Sequence, residues 1–186
     1  MRIIAGHFKG RRLKTLKGMA LRPTSDKLRE TLFNVLAPRI EGARVLDGFA
    51  GTGAIGLEAL SRGAAHVTFV ERNLGAATLI EENAAMCTVA GRYTIARGDF
   101  VTLVPHLGRD GAFDLVLLDP PYDIANVRDV LDAAGRVLAE GGLVVLERAA
   151  RHEPEVPPTL QRVRDLRSGD SALSVFTRRN ENPRAH

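Results

Sequence analysis

Val45-Leu46-Asp47-Gly48-Phe49-Ala50-Gly51-Thr52-Gly53-Ala54-Ile55-Gly56 decides how this chain is read. A short apolar run leads through an acid into a glycine loop, and the loop opens a helix that runs to about Ser61. Gly51, Gly53 and Gly56 have the spacing G-x-G-x-x-G, with Glu71 18 residues after Gly53 at the end of the next strand. Glycines belong there because side chains would keep a ligand off the backbone. An acid at Glu71 suits both hydroxyls of a ribose.

Outward from this loop the pattern alternates. His66 to Val70 reads as a strand, Leu74 to Met86 as a helix, Tyr93 to Ala96 as a third strand and Phe113 to Leu118 as a fourth. Val127, Val130, Leu131, Ala134, Val137 and Leu138 have helical spacing that ends at Gly141-Gly142, before a fifth strand over Leu143 to Leu146. Leu160 to Leu166 and Leu173 to Phe176, around Ser168-Gly169-Asp170, predict an antiparallel hairpin at the sheet edge. The alternation predicts an α/β, Rossmann-like fold with a mostly parallel sheet and helices on both faces. Ahead of it, Arg2 to Lys14 predicts two short strands around Gly6 and Gly10. A helix then starts near Pro23, capped by Thr24 or Ser25 and ended by Pro38. The expected division is a basic extension over 1–42, a catalytic domain over 43–180 and a frayed tail over 181–186.

Asp47 separates two readings of the glycine loop. A nicotinamide dinucleotide would bring its pyrophosphate to the helix N-terminus, beside a carboxylate that repels it. S-adenosylmethionine carries no phosphate, only a sulfonium and an ammonium that Asp47 favours. Asp99 can accept from the adenine amino group, and Phe100 can pack on its ring. Asp47, Glu71, Asp99 and Asp119 end four successive strands, where ligands of open α/β sheets bind.

Asp119-Pro120-Pro121-Tyr122 supplies the acceptor chemistry. The prolines stop the strand ladder because neither donates a backbone hydrogen bond. A flat base could donate its exocyclic amino group to Asp119 and to the Pro120 carbonyl while its ring stacks on Tyr122.

Composition narrows the partners. At 186 residues, with 45% hydrophobic and 26% charged residues, the chain fits one globular domain. One cysteine, Cys87, excludes an internal disulfide, and with no leader-like N-terminus the chain is expected in a reducing cytoplasm. The five histidines lack metal-ligand spacing, so no metal is expected. No apolar run approaches a bilayer span of about 20 residues. Residues 1–30 carry a net +7, residues 31–150 a net −5 and residues 151–186 a net +2. A basic arm on a mildly acidic body fits a polyanion, with Lys9, Arg11, Arg12, Lys14, Arg22 and Arg29 as its phosphate ligands.

Three segments resemble one family: Arg22 to Asn34 (Arg-Pro-Thr-Ser-Asp-Lys-Leu-Arg-Glu-Thr-Leu-Phe-Asn), Leu46 to Gly53 with Gly56 to Gly63, and Asp119 to Tyr122. The chain resembles the class I S-adenosylmethionine-dependent methyltransferases, and more narrowly the RsmD family. The first segment is the specific one. The resemblance implies a seven-stranded mixed sheet, Phe49 as a further cofactor residue, and methyl transfer to the N2 of one guanine in 16S ribosomal RNA, numbered 966. It implies a small ribosomal subunit or assembly intermediate as partner; no membrane is expected, and the chain is expected to act as a monomer. Adenine N6 in DNA, another RNA, or a protein glutamine amide is the alternative acceptor. Glutamine enzymes usually have Asn at the position of Asp119, and DNA enzymes usually add a base-reading domain. An RNA-binding module without turnover is the non-enzymatic rival.

Overall fold

The computed structural model describes residues 1–15, 26–108, 112–122 and 124–179. Its elements run α1 (Asp26–Ile40), β1 (Arg44–Gly48), α2 (Ala54–Ser61), β2 (His66–Glu71), α3 (Leu74–Cys87), β3 (Tyr93–Arg97), α4 (Phe100–Leu107), β4 (Phe113–Leu118), α5 (Val127–Arg136), β5 (Leu138–Ala149), β6 (Leu160–Ser168) and β7 (Ser171–Arg178). The sheet order is β3-β2-β1-β4-β5-β7-β6. β1 to β5 are parallel, whereas β7 pairs antiparallel with both β5 and β6. The expected seven-stranded mixed sheet and terminal hairpin are therefore present.

Alternation along the strands builds two cores. Val45, Leu115, Leu117 and Val145 face the layer made by α1, α2, α3 and the N-terminal arm. Leu46, Val116, Leu118 and Leu146 face α4 and α5. Strands buried on both faces read as continuous apolar runs, as these do. The chain order reverses between β1 and β4, so the carboxyl ends of those two strands flank a crevice. Among the described residues no helix is long and apolar enough to cross a membrane.

The structure corrects three local expectations and adds one helix. The arm is not a strand pair: a single antiparallel bridge joins Arg2 and Arg12. Its backbone spends several donors on α2 instead, with Ile4 and Ala5 N–H donating to Glu58 and His7 N–H to the Ser61 carbonyl. Pro38 lies inside α1, which continues to Ile40; a proline in the last turn removes only one intrahelical bond, and its φ is already helical. α5 stops at Arg136 rather than Gly141-Gly142, because Leu138 already pairs with Phe113 as the first residue of β5. α4 was not foreseen, although Asp99 caps it by accepting from Thr102 N–H at 3.1 Å. The expected caps Thr24 and Ser25, and the tail over 181–186, lie outside the described residues.

Candidate active site

A cleft of about 710 Å³ opens at the carboxyl ends of the strands, within the range of ligand sites. Phe49, Gly51, Glu71, Asp99 and Phe100 line one part of it, and Asp119, Pro120 and Tyr122 line another. Eight of the ten residues expected to hold cofactor or acceptor thus share one cavity. Asp47 and Gly53 do not line it: Asp47 is buried at the end of β1, and Gly53 is the loop residue that caps α2.

The loop's geometry explains those two. Gly51 and Gly53 have φ of +55° and +77°, a region that side chains strain. The turn leads into α2, which has no side-chain cap at Gly53. Its N-terminal N–H groups need an acceptor, and Asp47 supplies one from the end of β1: its carboxylate accepts the Gly56 N–H at 2.8 Å. A Cβ on Gly56 would lie 2.3 Å from the Phe69 ring, so the helix can approach β2 only with glycine there.

Asp47 is 1% exposed. Burial raises its carboxyl well above the usual carboxylate range; the Gly56 hydrogen bond opposes this, and the charges of Asp119 and Glu71 add to it. The three acids therefore repel one another under the cleft. A ligand bringing positive charge relieves that repulsion, whereas one bringing phosphates adds to it. Glu71 receives the Gly51 N–H on one oxygen at 2.8 Å and the Asn73 N–H on the other at 2.7 Å. Each carboxylate oxygen keeps a further lone pair for a hydroxyl donor. These features fit a cationic nucleoside such as S-adenosylmethionine. Asp99 and Phe100 open α4, and the Phe100 ring stacks on Phe49 with centroids 5.3 Å apart.

The acceptor wall is braced from a distance. The Tyr122 hydroxyl lies 2.6 Å from Ser171 Oγ, at the start of β7. The hairpin foreseen as an edge element thus also fixes the ring of the Asp119–Tyr122 motif. Behind Tyr122 lies a smaller hollow of about 280 Å³ shared with Arg148 and His152. Arg148 is buried, donates to the carbonyls of Ala149, Ala150 and His152, and pairs with Glu153 and Asp165. It holds the segment after β5 in place. Nothing local in the sequence marks Ser171 or Arg148 for these tasks. Among the described residues no cluster of His, Cys, Asp or Glu could hold a metal ion.

The basic arm divides. Lys9 and Arg12 are exposed. Arg11 is exposed, donates to the Met86 carbonyl and lies 5.3 Å over the Phe8 ring. Lys14 forms an exposed ion pair with Glu82 at 2.9 Å. Arg29 departs from the expectation: it is 1% exposed, and its guanidinium donates to the Arg2 carbonyl at 2.7 Å. It fastens the arm to α1 and is not placed to meet a phosphate. Arg22 lies outside the described residues.

Residues 1–177 match the family described as conserved hypothetical protein 95. Ribosomal RNA small subunit methyltransferase D of Escherichia coli is 34% identical over 181 residues, covering 96% of this chain and 90% of that protein. The Bacillus subtilis protein YlbH is also 34% identical, over 96% of this chain and all of its own length. The solved structure of the Escherichia coli protein YhhF superposes with a TM-score of 0.84 at 31% identity, covering 96% of this chain and 97% of that one.

Proposed function

The chain belongs to the RsmD family of methyltransferases, and from that premise we propose that it methylates the exocyclic N2 of a guanine in small-subunit ribosomal RNA, with S-adenosylmethionine as donor. The target guanine is the one numbered 966, and the enzyme works as a monomer on the small subunit or its assembly intermediate. The observation that carries this reading is the single cleft lined by Glu71, Asp99 and Asp119, with Tyr122 on its wall.

S-adenosylmethionine supplies an electrophilic methyl group on a sulfonium. Everything else falls to the chain. Glu71 accepts the ribose hydroxyls and Asp99 the adenine amino group, while Phe49 and Phe100 enclose the base. Asp47 acts through the loop it caps, and its charge, with those of Glu71 and Asp119, favours the cationic end. The extension over residues 1–42 binds RNA: Lys9, Arg11, Arg12, Lys14 and Arg22 hold phosphates, which fixes register without reading sequence. The target base leaves its stack and rests on Tyr122. Asp119 and the Pro120 carbonyl accept from its amino group, which turns the nitrogen lone pair toward the methyl. Such orientation can supply roughly 7–11 kcal/mol of the barrier. Asp119 is then the carboxylate placed to receive the proton that the nitrogen sheds.

Labelled cofactor incubated with small subunits lacking the modification, followed by mass mapping, tests the assignment. Asp119→Ala is expected to bind cofactor and lose turnover. Full activity in that variant, or label on another base, overturns it.

A further inference from the structure

The arm and the glycine loop are sewn together by one side chain that neither the motifs nor the charge pattern points to. Asn83, in the middle of α3, is fully buried. Its Oδ1 accepts the Lys14 N–H at 2.8 Å, and its Nδ2 donates to the Lys14 carbonyl at 3.2 Å. The amide thus pairs with Lys14 on both sides, as a neighbouring strand would. The same Nδ2 donates to the Thr52 carbonyl at 2.9 Å. Thr52 is the apex of the cofactor loop and stands between Gly51 and Gly53, both at positive φ. Flanked by the two most permissive residues of the loop, its carbonyl direction depends on an external partner. The other end of the arm converges there too, since Met1 Sδ lies 3.8 Å from Thr52 Oγ1 and the Met1 carbonyl accepts from Leu13 N–H.

We propose that Asn83 is a positioning residue through which RNA held by the arm and cofactor held by the loop strengthen each other's binding. This rests on the RNA-methylation reading above. Lys14 is the connecting residue: its exposed ammonium, paired with Glu82, is free to exchange that partner for a phosphate, while its backbone stays paired with Asn83. Ordering the arm on RNA fixes Lys14, hence the Asn83 amide, hence the Thr52 carbonyl and the loop that the cofactor must meet. Coupling of this kind is reciprocal and commonly amounts to about 5–150-fold.

The test compares affinity for S-adenosylhomocysteine, which cannot turn over, with and without saturating small ribosomal subunits. It uses the wild type, Asn83→Ala and Asn83→Asp; the second keeps the acceptor for Lys14 N–H and loses the donor to both the Thr52 and the Lys14 carbonyls. The wild type is expected to gain at least about fivefold from the subunits, and both variants to fall toward no gain. A side chain with only a structural role would weaken each ligand separately and leave the ratio intact, so unchanged ratios overturn the proposal. A wild type whose cofactor affinity is unchanged by bound subunits overturns the coupling; a wild type that does not bind the subunits at all overturns the RNA reading instead. Should both variants fail to fold, hydrogen exchange in the wild type decides. Cofactor alone is expected to slow the Lys14 amide, and unchanged exchange there overturns the coupling.

Discussion

Replacing Glu58 by alanine is expected to release the N-terminal arm while leaving the sheet folded. Glu58 is completely buried on α2 and accepts from three donors: Ile4 N–H at 2.7 Å, Ala5 N–H at 2.9 Å and Arg62 Nε at 2.8 Å. Were the arm to stay docked without it, two backbone N–H groups would lose their partner, at about 1–3 kcal/mol each. Were it to leave, Ile3 and Leu13, both buried, would meet water at about 1.5–3 kcal/mol each. The second route also returns about 1–2 kcal/mol of backbone entropy per freed residue, so release wins. The cost of staying docked caps the loss, so even at its low end of about 2 kcal/mol the cap allows a fall of roughly 4–8 °C in Tm for a chain of this size.

Tryptic cleavage after Lys9, Arg11, Arg12 and Lys14 reads the release directly, and scanning calorimetry reads the stability. Glu58→Gln keeps one acceptor oxygen and should fall between wild type and alanine. An alanine variant whose arm resists trypsin as the wild type does, with Tm within about 2 °C, would show that the apolar contacts alone hold the arm and that this reasoning is wrong.

Three further outcomes follow from the site's geometry. Gly56→Ala gains about 1 kcal/mol of helix propensity but drives a methyl to 2.3 Å from the buried Phe69 ring; overpacking of about 1–3 kcal/mol or more should win, and a raised Tm would refute the clash. Asp47 has a folded-state carboxyl raised above the ordinary 3.8, so the folded chain holds its proton more tightly than the unfolded one. The stability this gives is present below that pH and is lost as pH rises through the folded value. Asp47→Asn keeps an acceptor for the Gly56 N–H without the charge, so in ligand-free protein its Tm advantage over wild type should widen from pH 4 upward, and a constant gap would refute the burial argument. Tyr122→Phe and Ser171→Ala remove the same 2.6 Å bond and keep the ring; each should cost a similar fraction of kcat, less than about tenfold for one neutral hydrogen bond, and the double variant no more than either. Additive losses in kcat would show that the two side chains act separately.

What was legible in the sequence was whatever repeats or punctuates locally. The alternation of apolar runs with helical spacing gave the order of strands and helices, and the acids at strand ends gave the cleft. The boundaries that failed are those where a distant partner overrides local signals. Gly141-Gly142 reads as a helix stop, yet Leu138 is already committed to Phe113 across the sheet. Arg29 reads as one more cation of a basic segment, yet the Arg2 carbonyl draws it inside. The braces of the site were silent for the same reason: Glu58, Asn83 and Ser171 meet partners 54, 69 and 49 positions away. Polar side chains of that kind carry no periodicity, so only the folded chain identifies what they hold.

The four strand-end acids look equivalent in sequence, and their surroundings make them unequal. Asp99 is exposed and its Oδ1 caps α4 by accepting from Thr102, so the adenine contact proposed for it would share the carboxylate with that cap. Glu71 is committed on both oxygens to backbone N–H groups of the loop and of the segment leading into α3, which makes it rigid before any ribose arrives. Asp47 is withdrawn under α2 and reaches the cleft only through its field, which acts on Asp119 and Glu71 in turn. Asp119 belongs to the motif whose ring is braced by a hydrogen bond, Tyr122 to Ser171, the arrangement suited to orienting a planar amino group. Substitutions should therefore separate by readout. Asp119 changes should fall on turnover, Glu71 changes on cofactor affinity, and Asp47 changes on affinity together with ligand-free stability. A set of variants in which Asp47→Asn lowered kcat as far as Asp119→Ala, with cofactor affinity intact, would place Asp47 in the chemistry and contradict this division.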